Sequence, residues 1–485
     1  MNAHHLRKTG TRLFVALAAG FILAACAPRE WLLPKLGIEP PRLHDFPADY
    51  QPPISAQTGQ PMPGFGGGGT ALPQTPVIFV HGNTVSARYW LPARRYFLDA
   101  GYPVNALWAL GYGWDNVRYF DSNDLSVDSI ERIVDSVTAY LSKTTGREIR
   151  QVDIVAHSLG VTLVRQWMLQ TNGWHRVRNF VGACGANHGV WTAWPDARGQ
   201  NRVVSFELAP GSPWLAQLNR HGETPGHTRY MMLYDGTGWA DVLFPKPSED
   251  SPALDGAYNI AYNREHGTYY DHLELPRVPE TMRAIVDFLR AAAEPLPQAE
   301  PPTIVREGNV LRASQEDAQL HCTDDRRYPN AAMPPVREQP LAANRLYTCY
   351  AHNPRSGLSS PMARYMRSDP GEIRRSAPNL RASPPPGSYE QPQRIRLETD
   401  DPQAFIVYSI AGPPESGSPL YTEPIYIAGP VRLQALAIAP DGSTSAPLVL
   451  DYDISLELIE ARRTLQRQLE PDTPVHYTAQ RRKGR

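Results

Sequence analysis

A chain of 485 residues has length for several domains and a sizeable core. Its 48 Lys and Arg nearly cancel its 49 Asp and Glu, so no overall positive field draws in a polyanion, and nucleic-acid binding is excluded as a leading function. The 48 prolines are about twice the usual share and they cluster, which points to linkers and loop-rich modules beside a compact unit.

At the N-terminus, His4, His5, Arg7, Lys8 and Arg12 precede the apolar run LFVALAAGFILAA, followed at once by Cys26. That run is too short for a stable membrane span and reads as a secretory signal over residues 1–25. Leu23-Ala24-Ala25-Cys26 resembles the lipobox of bacterial lipoproteins, in which the cysteine thiol is acylated and the preceding segment removed. The alternatives are an uncleaved anchor or a plain signal peptide. The resemblance implies a lipid anchor on Cys26 that holds the chain at a membrane, and Ala27 after the cysteine implies the outer membrane. Residues 26–75 are rich in Pro and Gly and end in GFGGGG, which predicts a flexible lead-in; no Lys-Ser/Thr follows the glycines to make a phosphate cradle.

Strand and helix signals then alternate. VIFVHG (77–82), VNALWAL (104–110), VDIVAHS (152–158), VRNFVGACGA (177–186) and RYMMLYD (229–235) read as strands. Helices are predicted over about 126–144, 159–171 and 279–293. Short apolar strands separated by helices predict an α/β unit over residues 76–293, a mainly parallel sheet covered on both faces. Cys184, inside NFVGACGAN, reads as a buried small hydrophobe.

Beyond AAAEPLPQAEPP the pattern changes to short strands broken by Pro, Gly, Ser and Asp. RLYTCYAHNPRSGLSSPMARY (345–365) parallels RLQALAIAPDGSTSAPLVLDY (432–452), each an alternating strand, a turn and a second strand, as in β-sandwich hairpins. Residues 384–454 resemble the small C-terminal sandwich of chitobiase and β-hexosaminidase-type enzymes, and 302–368 read as a degenerate copy. Two small Ig-like β-sandwiches are therefore expected. An exported chain meets an oxidising compartment, so Cys322 and Cys349 are expected to form a disulfide; no CxxC or HxxxH spacing favours zinc. Residues 455–485 read as a charged helix and a basic end.

The chemistry centres on VDIVAHSLGVTLVRQWML (152–169). Ser158 stands between a buried strand and a helix. A nucleophile elbow there needs small residues two before and two after the serine, and Ala156 and Gly160 meet that need. The bland reading of Ser158 is a helix N-cap. A serine nucleophile needs a base, and the base an orienting acid, in the chain order Ser, Asp or Glu, His. The loop GTGWADVLFP supplies Asp241, with Asp235 at the strand end as the alternative acid; NREHGTYYDHLELP supplies His272, with His266 as the alternative base. His188 precedes Asp241 and breaks the order. The oxyanion donors expected are the N–H groups of Leu159, directly after the serine, and Asn83, in the loop after the first strand.

VIFVHGN, VDIVAHSLG, VRNFVGACGANHG, LAPGSPWLAQLN, WADVLFP and YYDHLEL together resemble bacterial lipases with an Ala-x-Ser-x-Gly elbow and the related extracellular polyhydroxybutyrate depolymerases. The resemblance covers about residues 75–293. It implies an α/β-hydrolase fold, no metal, no cofactor and ester cleavage through an acyl-enzyme, and it supports Ser158, Asp241 and His272, with Asn83 and Leu159 as donors. The chain departs from the smallest members in the aromatic insertion VWTAWPDARGQNRVVSFELAP, a candidate partial lid. Trp90, Trp108, Trp114, Trp191, Trp194 and Trp239 are expected near the active end, as lining of an apolar groove or as core. The expected substrate is an ester lipid or a polyester, with glycan contact through the C-terminal modules. The alternatives are a non-catalytic envelope binding protein on a hydrolase fold and a deacylase of acylated polysaccharide.

Overall fold

The computed structural model describes residues 43–113, 122–193, 203–292, 299–368 and 377–454. Cys26 and the tail after residue 454 lie outside the described residues, as do Trp114 and Trp194.

An eight-stranded sheet forms the centre of the first unit. Its strands are β1 (His44–Asp45), β2 (Gly64–Gly66), β3 (Val77–Val80), β4 (Leu107–Leu110), β5 (Val152–His157), β6 (Val177–Ala183), β7 (Arg229–Tyr234) and β8 (Tyr258–Ala261), in the spatial order 1-2-4-3-5-6-7-8. Every pairing is parallel except β2 with β4. Strands β3 to β6 are buried along their whole length, as the central strands of a parallel sheet covered on both faces are; β3 and β4 are apolar throughout, while β5 and β6 also bury Asp153, Arg178 and Asn179, which bond one another. Helices α1 (Leu91–Asp99), α2 (Asn123–Thr145), α3 (Leu159–Gln170), α4 (Val203–Leu208), α5 (Pro213–Asn219), α6 (Tyr262–His266) and α7 (Pro279–Arg290) complete an α/β-hydrolase fold. In α2, Val127, Ile130, Val134, Val137 and Leu141 recur at three- and four-residue spacing and are all buried.

Two sequence expectations need correction here. The lead-in is not a free linker throughout: Gly64–Gly66 is a buried strand, and a Cβ on Gly66 would come within 2.1 Å of the Trp108 ring. Glycine therefore stands there for close approach to an indole, not for flexibility. Helix α2 also begins three residues before the predicted Ser126, because the Ser122 hydroxyl accepts the Leu125 N–H.

The N-terminus of α2 carries a buried carboxylate as well. Glu207, from α4, accepts the Ser122 hydroxyl at 2.6 Å and the backbone and side-chain N–H groups of Asn123, both at 2.8 Å. Asp124 accepts Gln166 Nε2 at 2.7 Å and Trp214 Nε1 at 2.9 Å. Desolvation, then the Glu207 charge, pushes the Asp124 carboxyl up to about 7. An acid whose folded value lies above its unfolded one favours the native state at low pH and loses that contribution as pH rises towards the folded value. Tm is therefore expected to fall between about pH 4 and about pH 7, and the fall to shrink in Asp124→Asn, as read by thermal denaturation across that range.

Residues 304–365 form a three-stranded and a four-stranded sheet, and so do residues 380–454. Each pair of sheets shares a core, with Leu311, Leu320 and Leu341 in the first and Ile395, Ile427, Leu433 and Tyr452 in the second. Cys322 and Cys349 are direct partners on adjacent antiparallel strands and form the expected disulfide. Neither module hangs free. Asn172 donates to the Met362 carbonyl at 2.8 Å and accepts its N–H at 3.1 Å. Gly417 packs on the same pair so tightly that a Cβ would sit 2.0 Å from the Met362 oxygen. Gln170 accepts the Ile410 N–H at 3.1 Å, and Gln217 accepts the Tyr426 N–H at 3.1 Å.

Candidate active site

Ser158 lies at the junction of β5 and α3 with φ 54° and ψ −125°, a backbone conformation that costs a non-glycine residue free energy. Its side chain makes no capping bond to α3, so the N-cap reading fails. The small neighbours are required by contact. A Cβ on Gly160 would approach the His81 carbonyl oxygen to 2.5 Å, and one on Gly82 would approach Ser158 Cβ to 2.8 Å. Ala156 is fully buried, in register with Val80 on one side and Gly182 on the other.

The serine hydroxyl meets His272. Nε2 of His272 lies 3.0 Å from Ser158 Oγ, and its Nδ1 lies 2.7 Å from an Asp241 carboxylate oxygen. The second Asp241 oxygen accepts the Leu243 N–H at 3.0 Å, and Asp241 is almost wholly buried. Hydroxyl, imidazole and carboxylate thus form one relay, contributed by the loops after β5, β7 and β8.

The alternatives from the sequence have other places. Asp235, at the end of β7, accepts the Thr237 hydroxyl, the Gly238 N–H at 2.9 Å and Asn263 Nδ2 at 2.8 Å. Burial would raise its pKa, but these donors and the Asp241 N–H outweigh it and hold the carboxyl below its usual range. Asp235 shapes the loop that carries Asp241. His266 ends α6 against the Tyr262 ring, and His188 pairs with Glu223 at 2.8 Å. Neither is hydrogen-bonded to the serine.

Sequence reasoning missed the groups that hold the base loop. His157 Nε2 lies 2.9 Å from the His272 carbonyl oxygen; a carbonyl only accepts, so Nε2 carries the proton. Burial, followed by the neighbouring His272, holds His157 far below its ordinary pKa, and it stays neutral. Tyr89 stacks on His157 with centroids 4.7 Å apart and donates to the Leu273 carbonyl at 3.0 Å. Asn263 binds the Tyr270 backbone at both ends, accepting its N–H at 3.1 Å and donating to its carbonyl at 2.8 Å, while also bonding Asp235. The acid and base loops are therefore tied together. His157 stands next to the serine, and Asn263 lies nine residues before the base; neither spacing carries a motif.

Of the expected oxyanion donors, Leu159 opens α3, where first-turn N–H groups have no partner within a helix. Asn83 follows Gly82, whose backbone lies against Ser158. The six tryptophans divide. Trp90 and Trp108 are core; Trp239 is 70 % exposed in the acid loop, beside Val242 (57 %), with Tyr269 (70 %) in the base loop. The Tyr269 hydroxyl donates to the Trp239 carbonyl at 3.0 Å, and Trp191 Nε1 donates to the Val242 carbonyl at 2.6 Å. In the aromatic insertion, residues 194–202 lie outside the described residues, and α4 is bound down through Glu207.

Metal-ligand chemistry converges here too. Cys184, Asp241 and His272 bring donor atoms within 4.8 Å of one another. Both ring nitrogens of His272 are engaged by Asp241 and Ser158, so the imidazole has no lone pair left for an ion.

Residues 74–236 match the family model of class 2 lipases. That match supports an ester hydrolase; it takes in Ser158, Asn83 and Leu159, and ends before Asp241 and His272. Residues 384–448 match the chitobiase/β-hexosaminidase C-terminal domain. A search of curated proteins finds no match. Among solved structures, the chain is similar to Bacillus licheniformis lipase BlEst2 in its mature form, at 15 % identity and a TM-score of 0.37, over 47 % of this chain and 96 % of that one. It is also similar to Aspergillus fumigatus lipase B (14 %, TM-score 0.35, 51 % and 55 %) and to carboxylesterase CesB from Bacillus subtilis (12 %, TM-score 0.30, 47 % and 87 %).

Proposed function

We propose that the protein is a serine carboxylic-ester hydrolase acting on esters held at an apolar surface. The observation that carries this reading is the continuous relay from Ser158 through His272 to Asp241. In it, His272 Nε2 takes the serine proton as Oγ attacks the ester carbonyl, and Asp241 stabilises the imidazolium that forms. The tetrahedral oxyanion is received by the N–H groups of Leu159 and Asn83. His272 then protonates the leaving alcohol, activates a water, and returns the proton to Ser158 as the acid departs. The strained serine backbone supports a nucleophile, because strain at a non-glycine residue is retained where a side chain must be held in one place.

Exposure of Trp239, Val242 and Tyr269 beside the acid and base supports an ester at a surface over a dissolved one, because burying such side chains favours contact with an apolar phase. A lipid aggregate and a solid polyester both present that phase. In the double variant Trp239→Ser/Val242→Ser, turnover of dissolved p-nitrophenyl acetate is expected to stay within about twofold of wild type, while turnover of emulsified tributyrin or a polyester film falls about tenfold. An equal fall on both kinds of substrate would count against surface capture.

The lipobox-like residues 23–26 support an envelope lipoprotein anchored through Cys26. Labelled fatty acid is expected on the wild-type chain and absent from Cys26→Ser; equal labelling of both would refute the anchor.

A further inference from the structure

Two consecutive residues of the elbow meet His272 at its two ends. Ser158 Oγ lies 3.0 Å from Nε2 at the tip of the side chain, and His157 Nε2 lies 2.9 Å from the carbonyl oxygen of the main chain. The backbone between residues 157 and 158 closes the ring. A single bond at the tip would leave the rest of His272 free to swing about it, and the second bond removes that freedom. The elbow itself is fixed: His157 pairs with Ala183 in the sheet, and the Ser158 N–H donates to the Ala183 carbonyl at 2.8 Å.

The base loop needs such a hold, because His266, Gly267, Tyr269 and Glu274 around it are exposed. What fixes it is a buried stack. Tyr89 lies on the His157 ring, with centroids 4.7 Å apart and planes 16° from parallel, and the Arg277 guanidinium lies 4.4 Å from the Tyr89 centroid. From this stack, His157 donates to the carbonyl of residue 272 and Tyr89 to that of residue 273, the latter at 3.0 Å. His157 Nδ1 is buried and has no partner among the described residues. An unpaired buried nitrogen costs free energy that a phenyl ring would avoid, so histidine at this position is accounted for by the bond its other nitrogen makes. Protonation would place a second N–H where nothing accepts it. Burial, then the neighbouring His272, hold the ring far below its ordinary pKa, and a neutral donor adds no positive charge beside the imidazolium that forms during turnover.

We propose that His157 is a positioning residue for the catalytic base, its Nε2–H bond to the His272 carbonyl holding the imidazole in line with Ser158 Oγ. The proposal rests on the ester-hydrolase reading. Misplacing a base by a fraction of an ångström weakens proton transfer, while substrate binding is unaffected.

The test measures kcat and KM separately on dissolved p-nitrophenyl butyrate for wild type, His157→Phe and His157→Gln, with Tm for each. Phenylalanine keeps a ring to stack on Tyr89 but has no donor; glutamine loses the ring but carries an N–H at the reach of Nε2. His157→Phe is expected to lower kcat about tenfold with KM within about twofold, and His157→Gln to recover most of the loss. A merely structural role would reverse that order, since the stack survives only in His157→Phe. Wild-type kcat in His157→Phe, or a glutamine variant as impaired as the phenylalanine one, overturns the proposal while leaving the ester-hydrolase reading intact. No turnover by wild type overturns that reading and this one together. Should the variants fail to fold, NMR of wild type labelled with ¹⁵N-histidine decides. A neutral imidazole protonated on Nε2, assigned by its contacts with the Tyr89 ring, supports the donor role, and a proton on Nδ1 instead overturns it.

Discussion

Replacing Ser158 with alanine is expected to lower kcat for p-nitrophenyl butyrate by at least about 10⁴-fold, with Tm within a few degrees of wild type. The size follows from the chemistry: without Oγ no acyl-enzyme forms, and what remains is the contribution of oxyanion donors and binding. The small stability change follows from the structure. Ser158 Oγ makes no capping bond to α3, and alanine at φ 54° carries the same backbone strain as serine. A variant that lost activity by unfolding would show both effects at once, so the separation of activity from Tm is what identifies a nucleophile.

The second large effect is on the acid, where two candidate carboxylates stand six residues apart. Asp241→Asn is expected to reduce kcat by about 10⁴-fold, because an amide can present its NH₂ to His272 Nδ1 and leave the imidazole in the wrong tautomer. Asp235→Asn is expected to cost only about tenfold, because Asp235 acts through the loop it holds, by way of Thr237, Gly238 and Asn263. Steady-state kinetics of the two variants side by side give the ratio. Equal losses, or a larger loss for Asp235→Asn, would mean that the acid had been assigned to the wrong residue.

The parts of this molecule legible in its sequence are those set by local rules. The elbow is one: Ala156, Ser158 and Gly160 are the sizes that a sharp strand-to-helix turn admits, and the contacts of Gly160 with the His81 and Val80 carbonyls show why. The continuous apolar run of β3 is another, since it is buried on both faces and has no polar alternate. Asp241 and His272 were singled out by chain order, loop position and the lipase resemblance, and the fold brings both into one hydrogen-bonded line with Ser158.

What stayed hidden depends on partners distant in the chain. Strand β2 is GFG, without a side-chain pattern, and exists because β4 and the Trp108 ring lie beside it. Strand β8 was missed because it is an edge strand whose first residue, Tyr258, is exposed. The grip of His157 and Tyr89 on the base loop joins residues 115 and 184 positions apart. Docking of the C-terminal modules turns on Asn172, Met362 and Gly417, three residues that are individually unremarkable in sequence. Their contact fixes both modules against the hydrolase unit.

The central claim is that Ser158 is a nucleophile activated by His272. Its most direct measurement is reaction of the protein with a fluorophosphonate, followed by peptide mass spectrometry. The predicted result is one adduct, on the peptide that contains Ser158, formed rapidly by wild type and lost in His272→Ala. An adduct on another residue, or labelling of Ser158 at the same rate without His272, would contradict it.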